Sequence, residues 1–476
     1  MLTKHQKVRD MLLAMWCTDK DKYDKSKCRL GRYVLNIDEN LRSGRFTIRR
    51  NNPGVVPANF IVQNYIGVEN LTKQQSDILK SEERLLWING PAGAGKTVIL
   101  LAKIIQLVKS NTKVVLFVAT GWEDALLKIK PKHYQLTLEK ADIKCVTMGA
   151  NNSFHISEHV VSQEIEQNKI DNQVVIVHTK SLQIKLTWIT NVVSALSVCN
   201  VFIDDVQCFL GTDSSNEDYH EFLKLLLQMS FSYRYVWVGC DIVQCVTYVS
   251  NVRIVHLLNF LSPNQHANLS MNLRNTSNLS KTLTIIRNHL LVKLGSERSD
   301  FAYYIRGLEQ TPGHYIHGPQ TVFHVCCGNA DNDEEQHPQH TRVSSIISDE
   351  LDRLRQEDVL KISDIGILIG FVSLEGQLYL EEAVNKRKDS DGDKKGLAGP
   401  SSCFSSEWPA VIVVLKLTEN APIADLVRLY VSISRARVSC SVILYPEVGK
   451  TIDDYREMVL VLEELKKRCK FILHTE

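Results

Sequence analysis

The residues with the clearest capacity for chemistry form one run, Gly90-Pro-Ala-Gly-Ala-Gly-Lys96-Thr97. An apolar segment of strand type, Leu85 to Asn89, precedes it, and a helical pattern from Val98 to Val108 follows. Glycines at 90, 93 and 95 let the main chain wrap closely around an anion, and amides at a helix N-terminus point donors into that wrap. A lysine and a hydroxyl at the end of such a loop suit polyphosphate. Lys96 is expected to reach the β- and γ-phosphates, and Thr97 to offer its hydroxyl to Mg²⁺. In this strand, loop and helix context the run satisfies the P-loop (Walker A) pattern, so Gly90 to Thr97, with Pro91, Ala92 and Ala94 in the wrap, are read as a site for Mg·ATP.

A triphosphate cradle needs a metal partner, and Val201-Phe-Ile-Asp204-Asp205-Val-Gln207 places carboxylates at the end of a second apolar run. Asp204 is expected to hold Mg²⁺ together with Thr97, as a Walker B aspartate does. Asp205 then lies where a second carboxylate can orient or deprotonate an attacking water.

Further segments occur in a fixed order along the chain. Leu71-Thr-Lys-Gln74-Gln75 comes before the glycine loop; Val238-Gly-Cys-Asp241-Ile-Val-Gln244 and Leu269-Ser-Met-Asn272-Leu-Arg274-Asn275-Thr follow Asp205. Ser406-Glu407-Trp408-Pro-Ala-Val and Leu429-Tyr-Val-Ser-Ile-Ser434-Arg435-Ala-Arg437 close the series. In this order they resemble the Q motif and motifs III, IV, V and VI of superfamily 1 helicases. The resemblance implies that Gln75 reads the adenine edge, Gln244 senses the γ-phosphate, Glu407 belongs to the nucleotide site, and Arg274 reaches the phosphates from a second domain. It makes Arg435 the arginine finger, a rigid and always charged fork suited to the charge that spreads over a transferring phosphoryl group. Held on a second domain, such an arginine completes the site only when two domains close, so nucleotide state becomes domain motion. Within that superfamily the Phe404-Ser-Ser-Glu-Trp-Pro element and motif VI are most similar to the helicase-like domain of the Schlafen family.

Some residues depart from the family pattern. Asp205 is one methylene shorter than the usual Glu, Leu273 stands where many members have an adenine-stacking Tyr, and Ser405-Ser406 replace Gly-Leu. Insertions after Lys96 and Arg274 are modest, so robust unwinding is not expected. The expected function is ATP hydrolysis coupled to single-stranded DNA or RNA. The alternative is a nucleotide-gated switch with a degenerate helicase core, for which Asp205→Glu is expected to raise turnover.

These residues must be positioned by βαβ units. Leu85 to Asn89, Val114 to Ala119, Val174 to Val177, Val201 to Ile203 and Tyr235 to Val238 read as buried parallel strands between helical stretches. Thr321 to Cys326, Ile365 to Ile369, Val411 to Leu415 and Ser441 to Tyr445 form a second series. The expected fold is therefore α/β: two RecA-like P-loop domains with parallel sheets, at 69–262 and 263–476. A small N-terminal α+β segment at 1–68, with strands near Arg32 to Ile37 and Arg45 to Arg49, has no assigned role.

Across 476 residues, 56 Lys and Arg against 54 Asp and Glu leave a net charge of +2, so attraction to nucleic acid needs a local patch. Twelve dispersed cysteines read as reduced thiols, and with neither a signal peptide nor a membrane-length apolar run the sequence points to the cytoplasm or nucleus. Trp122 could stack on a base, although Glu123 and Asp124 beside it repel phosphate. Arg253, Arg274, Arg287 and Lys293 are candidates for backbone contacts, and none is singled out as a ligand. His314, His317, His324, Cys326, Cys327, His337 and His340 lack paired Cys-x-x-Cys spacing, so zinc is not expected. Asp389, Asp391 and Asp393 imitate a calcium loop, but Lys394 and Pro400 occupy its obligatory Gly and Glu positions.

Overall fold

The computed structural model describes residues 71–110, 112–118, 200–206, 216–244, 261–296, 318–326, 336–357, 365–370, 408–419, 422–447 and 449–474. It also gives the backbone of six isolated strands: β1 (Tyr33–Asn36), β2 (Thr47–Arg50), β5 (Ile143–Met148), β6 (Val174–Thr179), β11 (Thr311–Pro312) and β12 (Tyr315–Ile316). β1 and β2 pair antiparallel, β12 adds to β2 in parallel, and β11 pairs in parallel with β10 (Met271–Asn272).

The first large sheet contains β3 (Leu85–Asn89), β4 (Val114–Val118), β7 (Asn200–Ile203), β8 (Tyr235–Cys240) and β9 (His266–Asn268), with β5 and β6 beyond β4. Its seven strands run β5-β6-β4-β7-β8-β3-β9, every pairing parallel. The central strands are continuous apolar runs because both faces are covered. Leu85 and Trp87 of β3 join one apolar cluster, while Leu86 and Ile88 join another with Ile99, Leu100 and Ile104. Those three belong to helix α2 (Lys96–Lys109), which follows α1 (Lys73–Leu79).

The second large sheet contains β13 (Val322–Cys326), β14 (Ile365–Gly370), β15 (Trp408–Lys416), β16 (Ala436–Tyr445) and β17 (Lys470–His474). It runs β14-β15-β16-β13-β17, again wholly parallel. The two sheets share one strand order. With β5 and β6 set aside, the opening strand of each lies between the fourth and the fifth, with the third and second beyond the fourth: β9-β3-β8-β7-β4 in one, β17-β13-β16-β15-β14 in the other. Two parallel α/β sheets of the kind expected for two RecA-like domains are thus present.

Strands absent from the sequence reading, β5, β9 and β17, lie at sheet edges. An edge strand is covered on fewer sides, so His-Ala-Asn or Lys-Phe-Ile-Leu-His can serve without a continuous apolar run. Because β9 belongs to the first sheet, that sheet extends beyond residue 262, and the chain crosses to the second at 273–277.

Helices α3 (Asn216–Ser232), α4 (Ser277–Ser296), α5 (Gln336–Glu357), α6 (Pro422–Ser434) and α7 (Arg456–Leu465) cover the sheets. α4 and α6 sit at the seam. Leu283 and Ile286 of α4 and Leu426, Leu429 and Tyr430 of α6 share one cluster with Val236 and Val238 of the first sheet and Val411 and Leu444 of the second. Among the described residues no helix is long and apolar enough to cross a membrane.

Candidate functional site

The glycine loop leaves β3 and enters α2 directly. Gly93 and Gly95 have left-handed φ values of 76° and 87°, which glycine adopts at little cost. The loop is also closely packed: a Cβ at Gly93 would lie 2.6 Å from Asn272 Oδ1, and one at Gly95 would collide with the Gln75 amide. Lys96, buried at 7% exposure, donates from Nζ to the Gly90 and Pro91 carbonyls at 2.9 and 3.2 Å. Its ammonium therefore lies over the loop.

Asp204 directly follows β7, which is separated from β3 only by β8, so the sheet order brings the carboxylate to the loop. Thr97 Oγ1 donates to Asp204 Oδ2 at 2.6 Å, while the buried Oδ1 accepts no hydrogen bond. Gly239 of β8 makes room for Oδ1; a Cβ there would come within 2.9 Å of it. Burial, and then the negative charge of Asp205, push the Asp204 carboxyl up to about 7, against the Thr97 hydrogen bond, the Lys96 charge and the Asp205 backbone amide. A buried carboxylate oxygen without a donor, beside a hydroxyl, is a set of hard oxygen ligands that fits a small divalent cation such as Mg²⁺. Asp205 adopts φ 51°, the one left-handed non-glycine residue among those described. Aspartate is among the few L-residues that tolerate this region.

Gln74 and Gln75 both serve the loop's surroundings. Thr72 caps α1 in a reciprocal capping box with Gln75, whose side-chain Oε1 accepts from the Thr72 amide at 3.0 Å. Gln75 Nε2 donates to the Ala94 carbonyl at 3.0 Å, so this buried amide braces the glycine loop. Gln74 bonds the Asn268 carbonyl and accepts from the Ser270 amide, pinning the exit of β9.

Residues 269–276 form a strap between the sheets. The Leu273 amide donates to the Gly93 carbonyl at 2.9 Å, and Thr276 donates from its amide to Arg437 and from its hydroxyl to the Val438 carbonyl. Asn272 accepts from the amides of Arg274 and Asn275 and donates to Asn275 Oδ1 at 2.8 Å. Asn275 then donates to the carbonyls of Ser434 and Ala436, and Arg274 Nη1 lies 3.5 Å from the Ser434 carbonyl. Arg274 thus sits beside both the glycine loop and the end of α6. Arg435, 3% exposed, follows α6 directly.

From α6 itself, Tyr430 reaches the loop: its hydroxyl accepts from the Ala92 amide at 3.2 Å and donates to Asp241 Oδ2 at 3.4 Å. Gln244 is buried in a short 3-10 turn (Ile242–Gln244) just after Asp241. The structure brings together Gln75, Gly90 to Thr97, Asp204, Asp205 and Arg274. Gln207, Glu407, Trp122 and Arg253 lie outside the described residues. Asn272, Asn275 and Tyr430 stand inside the helicase-like motifs, but nothing in their spacing signals these bonds. Arg287 is fully buried, which removes it as a candidate for backbone contacts with a polynucleotide, and Lys293 pairs with Glu457 at 2.6 Å.

No family model matches the chain, and no curated protein matches its sequence. Solved structures resemble it distantly. An arterivirus nonstructural protein 10 helicase is 14% identical with a TM-score of 0.35, covering 86% of this chain and 70% of that one. The helicase MrfA bound to DNA is 14% identical with a TM-score of 0.40, covering 85% and 50%. The DEAD-box helicase Mss116, bound to single-stranded RNA and UDP-BeF, is 14% identical with a TM-score of 0.38, covering 86% and 75%.

Proposed function

We propose that this protein binds and hydrolyses ATP as a superfamily 1 helicase-like enzyme acting on single-stranded DNA or RNA. One observation carries the reading: a glycine loop with left-handed Gly93 and Gly95 faces a buried carboxylate, Asp204, whose Oδ1 has no donor, in the seam between two sheets of like order. The amides of Gly93, Gly95, Lys96 and Thr97 donate to the β- and γ-phosphates, and Lys96 exchanges the Gly90 and Pro91 carbonyls for phosphate oxygens. Asp204 and Thr97 would hold Mg²⁺, which when bound offsets phosphate charge. Asp205 orients the attacking water. Arg274, on the strap, and Arg435, after α6, approach from the second sheet and stabilise the charge of the transferring group, while Gln244 reports the γ-phosphate and Glu407 contributes to the nucleotide site.

Gln75 braces the loop through Ala94 with one of its two amide protons, which leaves a second donor and an acceptor lone pair for an adenine edge. The Schlafen-type placement within the superfamily rests on the Phe404-Ser-Ser-Glu-Trp-Pro element and the run Leu429 to Arg437. One observation favours the second reading, a nucleotide-gated switch: Asp205, short for its role, is held in a left-handed conformation that a longer residue adopts less well.

The test is Mg-dependent ATP binding and turnover by wild type and Lys96→Ala. Turnover lost in the variant supports the enzyme, tight binding without turnover supports the switch, and no nucleotide binding refutes both.

A further inference from the structure

We propose that Tyr430 is a positioning residue that ties the glycine loop to the second sheet and makes the loop's geometry depend on where α6 lies. As a device for ATP turnover this rests on the function proposed above; as a tether it stands on geometry alone.

Tyr430 is fully buried, and its single hydroxyl is used in both senses, accepting from the Ala92 amide and donating to Asp241 Oδ2. Asp241 is itself fixed. It is fully buried after β8, and its Oδ1 accepts from the Val243 amide at 3.1 Å. The positive charge of Arg287, buried in α4, also acts on the Tyr430 phenol. One phenol therefore joins the glycine loop, the turn after β8 and α6. A phenylalanine would fill nearly the same space, so the hydroxyl is what this position adds.

The tether is matched at the other end of α6. The Ser434 carbonyl, at the end of that helix, accepts from the strap residues Arg274 and Asn275, and Arg435 follows immediately. α6 is thus bonded to the loop through Tyr430 and to the strap through Ser434. A shift of α6 that carries Arg435 towards or away from the loop must stretch the Ala92 and Asp241 hydrogen bonds, so the hydroxyl selects the alignment in which loop and arginine meet.

Tyr430→Phe in the full chain tests this, with Asp241→Asn as a second variant that keeps the side-chain shape. Two quantities are read: amide hydrogen exchange across the chain without nucleotide, and the kcat and KM for ATP. In Tyr430→Phe the loop peptide at 85–100 is expected to exchange about 10-fold faster while the rest of the first sheet is unchanged, as for loss of one buried hydrogen-bond partner. kcat is expected to fall by about 10-fold with KM within about 2-fold, the signature of lost alignment and not of lost ground-state binding. Asp241→Asn should move both in the same direction. Unchanged loop exchange in both variants overturns the tether, as does faster exchange spread evenly over the whole sheet, which marks a purely structural residue. Faster loop exchange with unchanged kcat overturns the alignment role. If the wild type does not hydrolyse ATP, the functional reading has failed, and the exchange measurement alone still decides the tether.

Discussion

With β5 and β6 set aside the two sheets are built in the same strand order, yet two of the buried carboxylates beside them, Glu350 and Asp204, are held differently. In the second, Glu350 of α5 is saturated: Arg353 donates to both its oxygens, Ser441 donates at 2.5 Å and His324 lies 3.2 Å away. His324 in turn bonds His474 of β17 at 2.9 Å. In the first, Asp204 keeps one oxygen without a donor. Burial raises both carboxyls; three donors reverse this at Glu350, which is held down to about 2, while Asp204 stays near 7. A satisfied polar network holds a fold together, whereas a buried carboxylate oxygen without a donor suits a group bound from outside. The difference separates a site from a scaffold.

The sharpest way to break this comparison is Lys96→Ala. Turnover should fall by at least about 100-fold in a steady-state ATPase assay, with the melting temperature little changed. Glu350, beside the second sheet and hydrogen-bonded to Arg353 and Ser441, touches none of the loop residues, so Glu350→Gln should leave turnover within about 2-fold.

Asp204→Asn should dissociate the two properties. Turnover is expected to drop by about 100-fold through loss of a metal ligand, while nucleotide-free stability holds or rises by about 1 kcal/mol because a carboxyl whose charged form burial disfavours is replaced by a neutral amide. A variant both inactive and markedly unstable would make Asp204 structural.

Glu350→Gln should do the reverse, lowering stability at neutral pH by on the order of 2 kcal/mol, read by denaturant unfolding. The sign of the pH dependence follows from the lowered pKa. Glu350 titrates near 2 when folded against 4.5 ordinarily, so its contribution is complete above about pH 4.5 and is lost as pH falls from there towards 2. The variant should lack that acid-dependent component.

Two smaller effects sharpen the seam and the site. Asn275→Ala removes donors to Ser434 and Ala436 and should cost about 1–2 kcal/mol in unfolding while weakening any polynucleotide dependence of turnover. Asp205→Glu, placing a longer side chain at φ 51°, should be less stable than Asp205→Asn by about 0.5–1 kcal/mol in thermal melts. Equal melting temperatures would show that the left-handed backbone does not select the shorter residue.

Much of this was legible in the sequence where one residue type has one physical use. Glycines before Lys96 and Thr97, after a strand and opening a helix, can hardly be arranged otherwise, and the central strands announce themselves because both faces are buried. β9 and β17 were not legible, since edge strands need no apolar run. Nor was the strap: Asn275 makes bonds to main-chain atoms more than 150 residues distant, the carbonyls of Ser434 and Ala436, and no local pattern encodes that pairing. Tyr430 reads as one more apolar residue of an amphipathic helix; only its hydroxyl's two partners distinguish it.

The central claim is that the loop, Asp204 and the seam together make an ATP-driven site that acts on nucleic acid. It is tested most directly by ATP turnover of the purified chain with and without single-stranded RNA and DNA, beside Lys96→Ala. The account predicts turnover that a polynucleotide stimulates and that the variant lacks. Turnover equal with and without every polynucleotide, or equal in wild type and variant, would contradict it.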